Sequence, residues 1–444
     1  MVERIGHGIE RLVGADVHPA ERHLVRLFFL NLLLLLSAYY ILKVVREPLI
    51  LLNGGAVYRS YARGLQALLL VVLVPLYSVL ANRIEPARLV NWVYGFFIVC
   101  LGLFVALGSA GLPIGFAFFV WVGIFSTMAI AQFWSLANDL LTQTQGKRLF
   151  PIVAVGGTAG GIVGSQIAAR GLERLGLYPL MLMAAGLMCC CMVITHAGHN
   201  AAVSHRRLFR ERDALHTRDT RGGFTLVLSE RYLLMIGISV LLLNLINTTG
   251  DFVLAEMVNT RAISLSNSAA DAKQVQEQVI GAFYGNFQTA VTILTALIQI
   301  LVVARIFRFA GVSAALLVLP LFVMGSYGAT ALMPVLALVT LVKVTENSTD
   351  YSLQNTVQQA LFLPTSRDVK YKAKAAIDTF IVRAGDLASA ALVATGVYVG
   401  LGARGFAWAN VAIGLLWLII SWNIGRHYIR LSKRPDEPNV RRAA

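Results

Sequence analysis

The chain has 444 residues, 57% hydrophobic and 14% charged, with a formal charge of +15. A composition this apolar leaves too little polar surface to cover a soluble protein of that length, so lipid is its expected solvent. A basic excess ordinarily suggests nucleic acid or an acidic surface; here its distribution along the chain reads as membrane topology instead, with no nucleic-acid partner.

The first twenty residues carry Glu3, Arg4, Glu10, Arg11 and Asp16 and lack an apolar h-region, so a cleaved leader is not expected. A helical crossing needs roughly 20 apolar residues. By that criterion the first half holds spans near 23–44, 60–81, 88–109, 113–142, 150–170 and 177–197. The second holds spans near 231–256, 278–305, 311–329, 332–363, 371–400 and 406–430. Between them, 201–230 is a basic linker with Arg206, Arg207, Arg210, Arg212, Arg218 and Arg221, which separates a half at 1–200 from a half at 231–444.

Basic residues divide unevenly between alternate loops. The linker, Arg83, Arg88, Lys147, Arg148, Arg305, Arg308, Arg367, Lys370 and both tails fall on one side; the other has Arg59, Arg63, Arg170, Arg174, Arg261, Lys273 and Arg404. The positive-inside rule puts the first set and both termini in the cytoplasm, with the cell inner membrane as the expected location. The halves also echo one another. Trp134-Ser135-Leu136-Ala137-Asn138 ends the fourth span, and Tyr351-Ser352-Leu353-Gln354-Asn355 lies near the end of the tenth. The expected fold class is therefore an all-α integral membrane protein of about twelve crossings in two pseudo-symmetric six-helix halves, of major facilitator type.

Ionisable groups inside a span are costly, so their positions carry information. The first span has Tyr39, Lys43 and Arg46 on one face, with Glu47 adjoining; the fourth has Gln132, Ser135, Asn138 and Asp139. Asn244, Asn247, Thr248 and Asp251 form one stripe on the seventh. Lys343, Glu346, Asn347, Asp350 and Gln354 form another on the tenth, and Lys374 with Asp378 sit one turn apart on the eleventh. Spans one, four, seven and ten are equivalent members of four three-helix units, and in a two-fold bundle they surround a central cavity. The competing reading makes Lys43 with Glu47, and Lys343 with Glu346, merely neutralised helix pairs near the interface.

The fifth span reads Gly156-Gly157-Thr158-Ala159-Gly160-Gly161-Ile162-Val163-Gly164. It lacks the Gly-Lys-Ser/Thr ending of a nucleotide loop, and its four-residue glycine repeat suits close helix packing. Cys100, Cys189, Cys190 and Cys191 all lie in apolar segments. They imply no disulfide framework, and three adjacent cysteines point to different helix faces and cannot assemble one metal site, so they are expected to pack as small buried apolar groups. No His-x-x-x-His, Cys-x-x-Cys or Walker pattern is present, so an enzyme, a metal, a cofactor and ATP-driven pumping are not expected.

With these residues in hand, the chain resembles the ATP/ADP translocases, or nucleotide exchange transporters. Leu42-Lys43-Val44-Val45-Arg46-Glu47 is similar to that family's Leu-Arg-Pro-x-Lys-Asp. Phe133 to Asn138 followed by Lys147-Arg148-Leu149-Phe150-Pro151 resembles a second piece, and the stretch from Leu363 through Lys370-Tyr371-Lys372-Ala373-Lys374 to Asp378 is the most specific. The resemblance implies a major-facilitator-like fold and Arg46, Asn138 and Lys374 as substrate-site residues. The chain departs from the family pattern at Asn247, Asp251, Gln358, Gln359 and Asp386, which together remove basic groups and add acids.

The expected function is secondary transport of a small anionic solute, with a nucleotide among the candidates, by a monomer in the bilayer working through alternating access. Tyr39, Lys43, Arg46, Asn138, Asn247, Lys343, Asn347, Gln354 and Lys374 are the candidate substrate residues. Glu47, Asp251, Glu346, Asp350 and Asp378 are the candidate coupling or charge-balancing residues. The alternatives are a proton-coupled carrier of a different solute and a nontransporting membrane scaffold of the same fold.

Overall fold

The computed structural model describes residues 21–81, 86–141, 143–206, 223–267, 269, 271–365, 373–374 and 376–432. Arg83, the linker arginines from Arg207 to Arg221, Arg367, Lys370, Tyr371 and Lys372 of the most specific motif, and the tail from Lys433 lie outside them, as do the side chains of Arg88, Asp139 and Lys147. The described residues are helical throughout apart from short turns.

The first element, α1, runs from Arg22 to Ala81 as 60 residues, with Gly55 alone leaving helical backbone geometry at φ 70° and ψ −168°. At about 1.5 Å per residue it is far longer than a hydrocarbon core of about 30 Å, so its two arms are two crossings. Glycine at the joint follows from the positive φ, which costs a residue with a Cβ. The spans expected at 23–44 and 60–81 are thus joined by helix rather than by a loop, and Arg46, Glu47 and Arg59 lie in that helix, buried.

The elements that follow are α2 (Pro86–Ser109), α3 (Gly115–Leu140), α4 (Gln143–Arg174), α5 (Leu177–Arg206), the short α6 (Gly223–Ser229) and α7 (Arg231–Ser266). Next, α8 (Ala272–Ile298) passes through a π-helical turn at Gln299–Val303 into Ala304–Phe309, and α9 is Gly311–Leu332. Helix α10 (Leu336–Thr349) continues through a π turn, Asp350–Gln354, into Asn355–Leu361. A π turn at Ile377–Ile381 leads into α11 (Val382–Tyr398), and α12 is Ala403–Ser432. Ten of the described helices are long and apolar enough to span a bilayer. Counting the arms of α1 separately, and adding α10, whose Lys343, Glu346 and Asp350 lower its apolarity, gives the twelve crossings expected. Apolar faces turned outward fit a lipid solvent: Trp92, Phe96, Val99 and Leu103 make an exposed stripe on α2, and Trp408, Leu415, Ile419 and Trp422 another on α12.

Two compact units can be distinguished by packing. The first comprises Met1–His216 with Ala255–Thr292, and the second Thr217–Leu254 with Ile293–Ala444. Within the first, α4 lies against α1 in a strict register. A Cβ on Gly156, Gly160 or Gly164 would stand 2.6, 2.2 or 2.4 Å from the carbonyl oxygens of Phe29, Leu33 and Ser37 respectively. Both helices therefore advance by four residues per contact, and backbones meet where any side chain would hold them apart. Ser37 Oγ closes the seam by donating to the Gly160 carbonyl at 3.2 Å. Elsewhere in this unit Phe118, Trp121 and Phe125 stack along α3, and Phe97 of α2 packs edge-on to Phe125 at 5.1 Å.

The cysteine run does not pack as a unit. Cys191 is buried, but Cys189 and Cys190 are exposed, because neighbours on a helix are about 100° apart and only one of the three can face inward. Asn31 of α1 holds this side of α5, donating to the Cys191 carbonyl at 3.2 Å and to Thr195 Oγ1 at 2.8 Å.

The second unit is centred on aliphatic side chains with a few satisfied polar anchors. Trp417 of α12 is fully buried and its indole donates to Ser239 Oγ of α7 at 2.8 Å. Tyr232 OH donates to the Leu361 carbonyl, also at 2.8 Å, tying the start of α7 to the end of α10. Gly385 lets α11 approach α7, since a Cβ there would meet Asn244 Cβ at 2.7 Å.

Candidate functional site

Each unit builds one polar cluster. In the first, Glu47 is buried between two guanidinium groups: Arg59 Nε donates to Oε2 at 2.7 Å and Arg46 Nε to Oε1 at 3.2 Å. These arginines come from opposite sides of the Gly55 kink, so the break in α1 is what lets one carboxylate face both. The Arg46 guanidinium also lies 4.3 Å from the Phe119 ring centre on α3, a cation–π distance. One turn earlier, Lys43 Nζ lies 5.2 Å from the Tyr40 ring centre and 5.9 Å from that of Tyr39, and donates to Gln288 Oε1 of α8 at 3.0 Å. Glu47 is held by Arg46 and by Arg59, the latter a residue the loop reading had assigned to a turn between spans.

The region around Lys43 is also where α8 meets α4. Thr289 Oγ1 lies 2.9 Å from Ser165 Oγ and accepts from Gln166 Nε2 at 2.8 Å. Gly285 permits that contact, as a Cβ there would come within 2.4 Å of Ala169 Cβ.

In the second unit Lys343 of α10 is fully buried and carries four interactions. Its Nζ lies 3.2 Å from Asp251 Oδ1 and 3.2 Å from Glu346 Oε1, and donates to the Asn247 carbonyl at 3.0 Å and Asn247 Oδ1 at 2.7 Å. Asn247 in turn donates through Nδ2 to Asp350 Oδ2 at 3.4 Å, and Tyr327 of α9 donates to Glu346 Oε2 at 2.7 Å. Lys343 and Glu346 do pair along the helix, both 0% exposed, but not with each other alone. They form the centre of a network that joins the α7 and α10 stripes. Gly250 makes the approach possible, because a Cβ there would stand 1.8 Å from Tyr327 OH and 3.1 Å from Lys343 Cδ.

The remaining expected residues are placed differently. Asn138 and Ser135 are exposed on α3, while Gln132 of the same stripe is buried and accepts a hydrogen bond from Tyr77. Lys374 donates to Gln359, and Asp378 is exposed within the π turn before α11. Asp386, noted only as a departure from the family pattern, accepts from Thr248 at 3.5 Å and pairs with Arg383 at 3.3 Å. Asn347 and Gln354 are buried on α10.

Arg59, Phe119, Tyr327 and Gly250 escaped the sequence reading. Arg59 was hidden because it falls between the spans expected at 23–44 and 60–81 and was counted as a loop residue. Tyr327 lies in a span without charged residues, and a tyrosine in an apolar helix needs a buried acceptor for its hydroxyl.

This fold is that of membrane transporters of major facilitator type. The crystal structure of the nucleoside transporter NupG covers 94% of this chain and 100% of its own, at 16% identity and a TM-score of 0.56. The POT family transporter PepTSo covers 94% and 99% at 12% identity, with a TM-score of 0.62. A bacterial homologue of the iron transporter ferroportin, in an inward-facing state, covers 93% and 99% at 15% identity, with a TM-score of 0.60. Residues 117–430 match the TLC ATP/ADP transporter family, and the chain belongs to that family. It is 22% identical over 329 residues to ADP,ATP carrier protein 1 of Chlamydia trachomatis, a match that takes in 67% of this chain and 61% of that protein's length.

Proposed function

We propose that this protein is a secondary transporter that carries an anionic metabolite of the nucleotide class across the bacterial inner membrane by alternating access. The observation that carries the reading is the cationic cluster on α1. There Arg46 and Arg59 share a single carboxylate, Glu47, and Lys43 one turn earlier bonds the neutral Gln288, leaving an excess of positive charge in a span where charge is costly. Arginine suits the task because its planar fork matches phosphate oxygens two at a time. Glu47 balances the two guanidinium groups when no solute is bound, and a phosphate would take over that role. The family match and the name of the chlamydial relative support nucleotide as the class of solute.

Both termini and the basic linker are placed in the cytoplasm by the same reading, and the halves at 1–200 and 231–444 are its two repeats, working in a monomer. A second reading, proton-coupled movement of a different small solute, draws support from the second cluster, where one lysine faces three carboxylates.

Proteoliposome uptake distinguishes them. Exchange predicts that labelled ATP or ADP enters only vesicles preloaded with unlabelled nucleotide, at a rate indifferent to a pH gradient. The second reading predicts uptake into empty vesicles that follows the gradient. No uptake of any nucleotide or other anionic metabolite under either condition would leave the scaffold reading standing.

A further inference from the structure

We infer that α10 holds a site for one small monovalent cation, sodium or a proton, centred on the Asp350 carboxylate with the side-chain oxygens of Asn347 and Gln354. It deepens the transporter reading by naming a coupling ion, but the binding it asserts is independent of which solute is carried.

Lys343 is already fully engaged. Its ammonium is committed to Asp251, Glu346 and Asn247 at 2.7–3.2 Å, and Glu346 is further held by Tyr327. Asp350 lies outside that set. Its contact is the Asn247 amide at 3.4 Å, near the limit for a hydrogen bond. Whereas Lys343 and Glu346 are wholly buried, Asp350 is half-buried.

A second observation, independent of charge, points to the same place. Asn347 stands three residues before Asp350 and Gln354 four after, on the same helix face. Asn347, 6% exposed, has a buried Oδ1 with no hydrogen-bond partner; Gln354, 1% exposed, has neither its Oε1 nor its Nε2 partnered. A buried polar atom without a partner costs on the order of 1–3 kcal/mol, and these orphans flank a carboxylate that pairs with no cation among the described contacts. With both ends free, the Gln354 amide can turn its oxygen inward. The π turn Asp350–Gln354 falls between them, and such widened turns recur at functional sites. One carboxylate and two amide oxygens suit a single positive charge, because Asp251 and Glu346 are already engaged by Lys343.

The charged and titratable groups that face Asp350 are few. Its own helix offers Lys343 and Glu346, α7 offers Asp251 beside the neutral Asn247, and α9 offers Tyr327. The turn Gln299–Val303 of α8, which also packs here, has none. Asn247 bonds both Lys343 and Asp350, so occupancy of the site is felt at once by the lysine.

Thermal unfolding of the purified full-length protein, with no solute present, tests this. Wild type is compared in sodium chloride and choline chloride at equal ionic strength, and in choline at pH 6 and pH 8. A ligand that binds only the folded state raises the midpoint, here by about 2 °C or more near saturation. A rise with sodium assigns sodium, and a rise at low pH in choline assigns the proton. Either must vanish in Asp350→Asn. Gln354→Leu should require about tenfold more sodium for the same rise, and it serves as the second variant if Asp350→Asn does not fold. A wild-type midpoint indifferent to sodium and pH, or a rise that survives Asp350→Asn or, should that variant fail to fold, is unaltered in Gln354→Leu, would overturn the inference. Because no solute is present, a cation shift without nucleotide uptake sinks only the nucleotide reading, and nucleotide uptake without a cation shift sinks only this one.

Discussion

The polar cluster on α1 and the one around Lys343 have opposite electrostatic character. In the first, Lys43, Arg46 and Arg59 accompany one glutamate; in the second, one lysine accompanies Asp251, Glu346 and Asp350. They also differ in redundancy. Glu47 keeps a partner if either arginine is lost, whereas Lys343 is the sole cation bonded to both Asp251 and Glu346 among the described contacts. A redundant cluster can exchange its internal carboxylate for a ligand's phosphate without stranding a charge. One built around a single buried cation cannot give that cation up, so it suits ion coupling better than direct anion binding.

The largest effect expected from this contrast is on stability. Lys343→Met takes the paired cation from the wholly buried Glu346 and should lower the unfolding free energy by about 3–5 kcal/mol. Arg46→Met leaves Arg59 on Glu47 and should cost about 1 kcal/mol or less. Denaturant titration of the two variants in matched detergent checks this; equal losses would break the contrast.

Next comes the seam between α1 and α4. Gly164→Ala puts a methyl 2.4 Å from the Ser37 carbonyl oxygen and should cost about 1–3 kcal/mol through forced separation of the helices. Gly186→Ala on α5, where nothing lies within 4 Å, should be neutral or slightly stabilising. Equal melting of these two variants would mean that the glycine register is not a source of stability.

A third test sharpens the description of the second cluster. Gly250→Ala should displace the Tyr327 hydroxyl and free Glu346 Oε2, at a cost of about 1–3 kcal/mol. Tyr327→Phe removes the same hydrogen bond, so the double variant should lose clearly less than the sum of the singles. Strict additivity would show that the clash at Gly250 lies elsewhere.

The smallest stability effect carries the largest functional one. Arg46→Ala should melt close to wild type yet bind nucleotide at least tenfold more weakly, about 1.4 kcal/mol, and Arg46→Lys should recover part of the loss if charge outweighs fork geometry. Equilibrium binding to the purified variants measures it, and unchanged affinity would remove Arg46 from the site.

Much of this protein was legible without coordinates, because a bilayer imposes simple rules. Helices must be long and apolar, so their number and order follow from hydropathy, and any charge inside them must belong to a buried network. For that reason the stripes from Asn247 to Asp251 and from Lys343 to Gln354 could be read as single faces by helical periodicity, and they do meet around Lys343. The α4 glycines likewise announced close packing, since a four-residue repeat of missing side chains has little other use. What periodicity cannot say is which neighbour a face meets. It could not tell that Glu47 answers to Arg59, because that depends on a helix continuing through Gly55 and bending there. Nor could it find Tyr327 above Glu346 or the space that Gly250 leaves for it, or tell that Asn138 points away while Gln132 is buried. Those are contacts between residues far apart in the chain, decided by how the helices pack, and they determine which charges are held, which are shared and which are left open to an ion.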